Sequence, residues 1–158
     1  MNRRRLLPLL FAVAALGCES PSDEEVLRRT FAVPRAARLV SLDASPKAPG
    51  LFGREGLAID AVFGFGPDEL AAYRVRLGND PTWRALPPPE ELLPRLPKGS
   101  NFPRDTGNGV WACRTAGDDL MRARKKDCME RPGDLNDVMI AVLDLDRRTL
   151  RIRVKTAY

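Results

Sequence analysis

The sequence predicts an α+β fold: an antiparallel sheet of about four to five strands, one main helix packed on one face, and a long proline-rich loop. Segments in the middle and at the end of the chain alternate apolar and polar residues, as half-buried strands do. A segment between them has the caps and apolar spacing of an amphipathic helix. Seven of the fourteen prolines fall between residues 80 and 109, which predicts an extended loop there.

Two strands are predicted in the first half of the chain. Residues 38–43 form the first, and residues 44–56 are a loop because they contain two prolines and three glycines. Residues 57–65 form the stronger strand, because every second side chain is apolar and faces one side. The apolar side consists of Leu57, Ile59, Ala61, Phe63 and Phe65, whereas Asp60 faces the other side.

The main helix is predicted over residues 67–77. Gly66 caps it, Pro67 suits its first turn, and Asp68 and Glu69 oppose the positive end of the helix dipole. The pair Gly78-Asn79 provides the exit. We expect this helix to pack on the sheet through one apolar stripe, which consists of Leu70, Tyr73 and Leu77.

The proline-rich loop between residues 80 and 109 contains one short helix that begins at Pro89. Its prolines alternate with apolar residues, so we interpret it as a loop pinned to the domain rather than as a proline-rich ligand for an aromatic groove. The expected anchors are Trp83, Leu86, Leu92, Leu93 and Leu96.

The C-terminal third is predicted to contain mostly strands. Gly109–Thr115 is one strand, and residues 120–126 form a partner strand in preference to a short helix. Residues 137–143 are apolar on both faces, which indicates a central strand. After a turn at 144–148, residues 149–156 alternate cleanly. Their inward residues are Leu150, Ile152 and Val154, and their outward residues are Arg151, Arg153 and Lys155.

The first eighteen residues have the parts of an export signal. Three arginines at positions 3–5 precede an apolar run of residues 6–16, which ends at Gly17 and Cys18. The run is too short to span a bilayer, which needs about 20 apolar helical residues. A basic start, a short apolar stretch and a small residue before the cut are typical of a secretory signal.

The residues before Cys18 also resemble the lipobox of bacterial lipoproteins. Gly17 and Cys18 fit the two most constrained positions, whereas Ala15 and Leu16 depart from the commonest pattern. The resemblance covers the leader alone and implies that the Cys18 thiol receives a diacylglyceryl group before the leader is cut away. In that family an aspartate after the cysteine often retains the protein in the inner membrane, so Glu19 favours the outer membrane.

The leader sets the predicted domain organisation: a lipoprotein signal peptide over residues 1–17, a tether over 18–36 and a single α+β domain over 37–158. Ser22 and Glu25 match a capping box, so a short helix over Asp23–Thr30 and a flexible acidic spacer remain equal alternatives. About 140 residues after the leader suffice for one modest core.

Composition excludes several functional classes. Without the three leader arginines the chain has 23 basic residues against 21 acidic ones, so the high pI gives little support for binding to nucleic acid. The chain contains no histidine, which excludes a Ser-His-Asp triad, a Cys-His dyad and histidine-ligated metals. We expect no metal site and no cofactor.

Three cysteines become two once Cys18 is acylated. The remaining Cys113 and Cys128 are an even pair in an oxidising compartment, which most simply forms one disulfide. Closing a loop of this size stabilises the domain by roughly 3 kcal/mol in the chain-entropy model.

Two clusters of basic residues are the candidate binding site. Arg151, Arg153 and Lys155 form one outward row, and a second cluster includes Arg122, Arg124 and Lys126. In a shared sheet the two clusters could meet and contact an anionic envelope component or an acidic protein. The alternative is a solvated face on an edge strand that lysine and arginine protect from mispairing.

Other motifs do not indicate a catalytic site. Acidic groups near residues 134–146 lack the spacing of a calcium loop, and Glu69 stands where a dinucleotide fingerprint requires its third glycine. No motif that activates a serine is present. Trp83 and Trp111 could stack on a sugar ring, although tryptophans in a small domain more often belong to the core.

These observations predict a lipid-anchored cell-envelope protein, a non-catalytic binding or structural component that faces the periplasm if the cell has an outer membrane. Its predicted contacts are the membrane, through the lipid, and an anionic or protein partner, not nucleic acid. The alternative is a small envelope hydrolase that uses carboxylates on a glycan. A cleft with two carboxylates about 5–10 Å apart beside a tryptophan would favour that alternative.

Overall fold

The structure is a computed structural model that describes residues 21–46, 57–90, 92, 107–115, 126–130 and 138–156. These residues contain a six-stranded sheet and two α-helices, so the α+β class is confirmed. The elements are α1 (Asp23–Thr30), β1 (Arg38–Pro46), β2 (Leu57–Gly64), α2 (Pro67–Gly78), β3 (Arg84–Ala85), β4 (Gly109–Thr115), β5 (Val138–Asp144) and β6 (Thr149–Lys155). A 3₁₀ turn covers Cys128–Glu130.

The sheet has more strands than the four to five expected. The additional strand, β3, lies inside the predicted proline-rich loop, where Arg84 and Ala85 pair with Trp111 and Val110 of β4. A two-residue strand is too short to produce a periodic pattern, so the sequence gives no signal for it.

The strand order is β1-β2-β6-β5-β4-β3, and each pair of neighbouring strands is antiparallel. β5 and β6 form the predicted C-terminal hairpin, whose turn is held by the Asp144 carboxylate accepting a hydrogen bond from the Arg147 backbone at 2.8 Å. β6 therefore lies in the interior of the sheet, between β2 and β5. The alternative that its basic residues protect an edge strand is wrong.

One face of the sheet packs against both helices, and we call it the helix face. Leu150, Ile152 and Val154 of β6 point into this core, each at most 1% exposed. β2 contributes the apolar side predicted for it, with Ile59, Ala61, Phe63 and the adjacent Phe65 buried. α2 packs through the predicted stripe of Leu70, Tyr73 and Leu77.

α1 is the helical alternative predicted for Asp23–Thr30, and it is docked rather than free. The Ser22 hydroxyl caps it by accepting a hydrogen bond from the Glu25 backbone at 3.3 Å. Its Leu27 is fully buried, and the following Phe31 is 1% exposed. α1 lies inside the span assigned to a tether, and its burial extends the packed part of the chain back to Leu27 at least.

Arg28 fixes α1 to the chain that follows it. Its guanidinium donates to the backbone carbonyls of Pro34 at 2.7 Å and Ala37 at 2.8 Å. The same group lies 4.7 Å from the centroid of the Phe63 ring, a cation–π contact with β2. The Tyr73 hydroxyl adds a buried bond of 2.7 Å to the Phe31 carbonyl, which joins α1 to α2.

On the opposite face of the sheet, the buried apolar strand residues that the structure describes lie on β4 and β5. Val138, Ile140 and Val142 of β5 are buried there, so β5 is apolar on both faces and central, as predicted. They pack with Trp111, Cys113, Cys128 and Leu92 in a second buried cluster. Cys113 and Cys128 are disulfide-bonded with a Cα–Cα distance of 5.5 Å, which confirms the predicted pair.

The described part of the proline-rich segment is pinned to the domain as expected. Leu92 is fully buried, and its backbone donates to the Pro89 carbonyl at 3.0 Å in the turn where a short helix was predicted. Trp83 packs against the core of the helix face, and Leu86 packs against the second cluster. Leu93 and Leu96 lie outside the described residues, as does nearly all of the strand predicted over 120–126.

A substitution at Gly109 tests the contact between β4 and β5. A Cβ atom there would lie 2.2 Å from the Leu143 carbonyl oxygen, so we expect Gly109→Ala to lower the free energy of unfolding by about 2–4 kcal/mol. The matched control is Gly78→Ala, because a Cβ at this helical position meets no heavy atom within 4 Å. Urea denaturation of both variants measures the difference, and equal stability would contradict the close approach.

Candidate functional site

The structure describes four of the six basic residues of the predicted binding site. Lys126 is exposed, and Arg151, Arg153 and Lys155 lie on one face of β6. Arg122 and Arg124 lie outside the described residues, as does the predicted lipidation site Cys18.

The basic row of β6 belongs to a surface of mixed charge on the opposite face of the sheet. The register places Asp60 of β2 beside Arg153 and Asp43 of β1 beside Asp60. Arg153 and Asp60 form an ion pair of 2.6 Å, in which the arginine side chain is 18% exposed and the aspartate 49%. We call these five residues the charged patch, which consists of Asp43, Asp60, Arg151, Arg153 and Lys155.

Lys126 does not join this patch. Its carbonyl accepts a hydrogen bond from the Thr115 backbone at 2.9 Å, at the end of β4. Thr115 pairs with Val138, and Val138 pairs with Lys155, so Lys126 and Lys155 lie at the same end of the sheet. Three strand spacings separate their backbones, about 14 Å, and Thr115 and the buried Val138 lie between them.

A second cluster of charged groups, which was not predicted, lies at the other edge of the sheet. The guanidinium of Arg114, a β4 residue that is 7% exposed, donates to the Asp80 carboxylate at 3.1 Å and to the Thr82 hydroxyl. Arg84 of β3 binds Asp127 through two nitrogens, and its guanidinium carbon lies 5.3 Å from the Trp111 ring centroid. These contacts join β3 and β4 to the segments beside them.

Burial and neighbouring charges shift the pKa values around Arg114. Burial lowers the pKa of its guanidinium, and the carboxylates of Asp80 and Asp127 partly offset this. For Asp80, partial burial by itself raises the pKa of the carboxyl group. Hydrogen bonds from the Thr82 hydroxyl and backbone and the charge on Arg114 nevertheless hold its pKa below the ordinary value. Burial raises the pKa of the Tyr73 hydroxyl. Asp80 is therefore ionised at neutral pH.

A cavity of about 300 Å³ adjoins this cluster at the C-terminal end of α2. Its walls include Leu77, Val110, Leu145 and the indole of Trp83, and Arg74 and Asp80 also line it. The indole is held by edge contacts to Phe31 and Tyr73, with ring centroids 6.2 and 6.4 Å away. A concave apolar site with a few polar groups is typical of ligand binding, and this volume is at the lower end of the usual range.

The cavity does not meet the requirement of a two-carboxylate hydrolase. Among the described residues, Asp80 is the one acidic residue in its lining, and Arg114 and Thr82 already bind its carboxylate. A general acid of a glycosidase needs a raised pKa, whereas the pKa of Asp80 is lowered. Asp43 and Asp60 are opposite each other, but they lie on the charged patch and not in this cavity.

The described residues contain no group of three or more cysteine or acidic side chains placed to hold a metal ion. Within the same residues, no helix is long and apolar enough to cross a membrane.

One sequence signal for the Arg114 cluster exists. Arg114 interrupts an otherwise apolar strand, and a charged side chain in such a position requires a buried partner. The partner itself has no local signal, because Asp80 lies 34 positions away in the chain.

Comparisons with known proteins identify no relative. No protein-family model, no curated protein and no solved structure matches the chain.

The lowered pKa of Asp80 predicts a pH dependence of stability. Because the folded state favours the ionised carboxylate, its contribution is complete well above the unfolded pKa of about 3.9 and is lost as the pH falls through the folded value. Asp80→Asn should therefore be less stable than wild type at pH 7, and the difference should shrink below about pH 4. Urea denaturation at several pH values measures it. A difference that persists unchanged at about pH 2 would contradict the assignment.

Proposed function

We propose that this chain is a bacterial lipoprotein, held at the cell envelope by acyl chains on Cys18, and that its folded domain has a binding or structural role rather than a catalytic one. The observation that carries the proposal is the pairing of Cys113 with Cys128. It uses both other cysteines and leaves Cys18, directly after Gly17, as the one thiol available for acylation.

The disulfide also supports the compartment. Bonds of this kind form and persist in oxidising environments such as the bacterial periplasm, and they are rare in the cytosol. Both cysteines are fully buried, so the bond has a structural position in the domain. Several acyl chains on one cysteine hold a protein firmly at a membrane, because each buried CH₂ contributes about 0.8 kcal/mol. Glu19 after the cysteine favours the outer membrane, facing the periplasm.

Because α1 is docked, the lipid anchor allows the domain to lie only a short distance from the membrane. Cys18 and Asp23 are separated by five peptide units, which span at most about 18 Å when fully extended. Because Leu27 is buried in the core, α1 cannot leave the domain without exposing it. The anchor therefore holds the domain next to the membrane surface, so the partner of the domain must also lie near that surface.

The non-catalytic part of the proposal rests on the absence of histidine and on the chemistry of the cavity. Asp80, the one carboxylate that the described residues contribute to the cavity, is ionised and bound by Arg114. The charged patch is the surface that we assign to a partner. The basic residues of the charged patch support contact with an anionic envelope component. Because Asp60 adds a negative charge, the patch favours a protein surface of complementary charge over a simple polyanion such as nucleic acid.

Substitution of Cys18 tests the anchor. We expect Cys18→Ala to abolish lipid labelling and to move the protein from the membrane fraction to the soluble fraction, measured by radiolabelled palmitate and by intact mass. The double variant Cys113→Ala/Cys128→Ala is the matched control, because it removes two thiols but leaves Cys18 in place. A lipid-labelled Cys18→Ala protein would refute the lipoprotein assignment.

Alkylation without reducing agent tests the cysteine assignment. The protein isolated from the envelope should show no free thiol, because Cys113 and Cys128 are bonded and Cys18 is acylated. Reduction should then expose two thiols and lower the free energy of unfolding by roughly 3 kcal/mol. Detection of free Cys113 and Cys128 before reduction, by peptide mass spectrometry, would contradict the bond.

A further inference from the structure

We propose that the cavity at the C-terminal end of α2 binds a single neutral sugar ring. The inference goes beyond the proposed function, because it concerns a specific ligand site and does not depend on acylation of Cys18. It rests on three properties of the cavity, which are its size, its aromatic wall and the opposite charges of Arg74 and Asp80.

The size of the cavity suits one ring. A volume of about 300 Å³ is at the lower end of the roughly 300–1,000 Å³ of typical ligand sites, so the cavity does not enclose a long chain. Leu77, Val110 and Leu145 give it apolar walls, which suit the C–H groups of a ring. Leu77 is itself buried in the core, so these walls are set by the packing of α2 on the sheet.

Trp83 supplies an aromatic surface that is fixed in place. Phe31 and Tyr73 meet its indole edge-on, with interplanar angles of 74° and 81°, and the Trp83 backbone donates to the Asp80 carbonyl at 3.1 Å. An indole presents a large apolar body and one donor at low entropic cost, which makes tryptophan effective in recognition. The sugar-stacking role considered for Trp83 from the sequence therefore has a cavity to act in.

The charges around the cavity favour a neutral ligand. A bound anion would meet the Asp80 carboxylate and the negative C-terminal end of the α2 dipole, whereas a bound cation would meet Arg74 and, behind Asp80, Arg114. A hydroxyl group suits both signs, because it donates to a carboxylate and accepts from a guanidinium. Among the described residues Arg74 forms no ion pair, so its donors are available to a ligand.

Titration of the full chain with simple sugars tests the proposal. The two indole N–H signals of the ¹⁵N-labelled protein distinguish Trp83 from the buried Trp111. The probes are glucose and N-acetylglucosamine, with sodium benzoate and choline as charged comparators, in a detergent without a sugar headgroup. We expect at least one sugar to shift the Trp83 signal in a saturable way with a Kd in the millimolar range, and the charged comparators to leave it unchanged.

The variants separate the cavity from a general effect of added sugar. Arg74→Gln should weaken binding at least about fivefold, because it removes a charged donor from the site. The matched control is Arg35→Gln, at an exposed arginine outside the cavity, which should bind as wild type does. Trp83→Leu should abolish binding. Because that variant removes core contacts, its fold is checked first by circular dichroism, and Arg74→Gln decides the question if it unfolds.

Three results would overturn the proposal. The first is no saturable shift of Trp83 with either sugar at about 100 mM, which corresponds to less than about 1.4 kcal/mol of binding. The second is equal affinity of wild type and Arg74→Gln. The third is saturable binding of benzoate or choline at this site in place of the sugars. None of them bears on Cys18, so failure here and failure of the lipoprotein assignment are distinguishable.

Discussion

The position of β6 between β2 and β5 is the constraint on which the rest of the structure depends. It pairs along its whole length with both neighbours, from Thr149 to Lys155. Among the strands that the structure describes, the pair β1 and β2 is connected to the group β3, β4 and β5 only through β6. Its inward side chains, Leu150, Ile152 and Val154, also lie at the centre of the core beneath the helices. One strand thus provides the hydrogen bonds and much of the packing that unite the two parts of the chain.

The same strand divides the opposite face of the sheet into two regions with different chemistry. On β5 the opposite side chains are apolar, and the segment held by the Cys113–Cys128 disulfide covers them. On β6 they are basic, and Arg153 depends on Asp60 of the next strand for a partner. An interior strand cannot place long charged side chains beyond the sheet edge, so their stems lie on the sheet and opposite charges are needed nearby. The result is a surface of mixed charge rather than a uniformly basic one.

Much of the fold follows from local pattern, because alternation and helix caps act over a few residues. Local pattern predicts the buried faces of β2 and β6, the apolar stripe of α2 and the burial of β5 on both faces. Local pattern does not predict the position of β6 in the strand order, because alternation indicates which side of a strand is buried but not which strands are its neighbours. The Arg114 and Asp80 contact was missed for the same reason, since it joins positions far apart in the chain. The cavity beside Trp83 is lined by residues that are far apart in the chain, such as Leu77 and Leu145, so no single residue indicates the site.

The position of β6 also determines when the sheet can be completed during synthesis. Ribosomes make β6 after every other strand of this sheet, yet Ala58 of β2, which pairs with Ser45 of β1 on one side, finds its partner on the other side only at Lys155. Until then, β2 and β5 each lack one neighbour, and the domain cannot close around its core. Contacts between such distant positions form slowly, which keeps the nascent chain open for longer than a fold built from local pairs. For a chain that is exported in the unfolded state, as we propose for this one, such a delay is favourable, because the strand that completes its sheet is the last to be delivered.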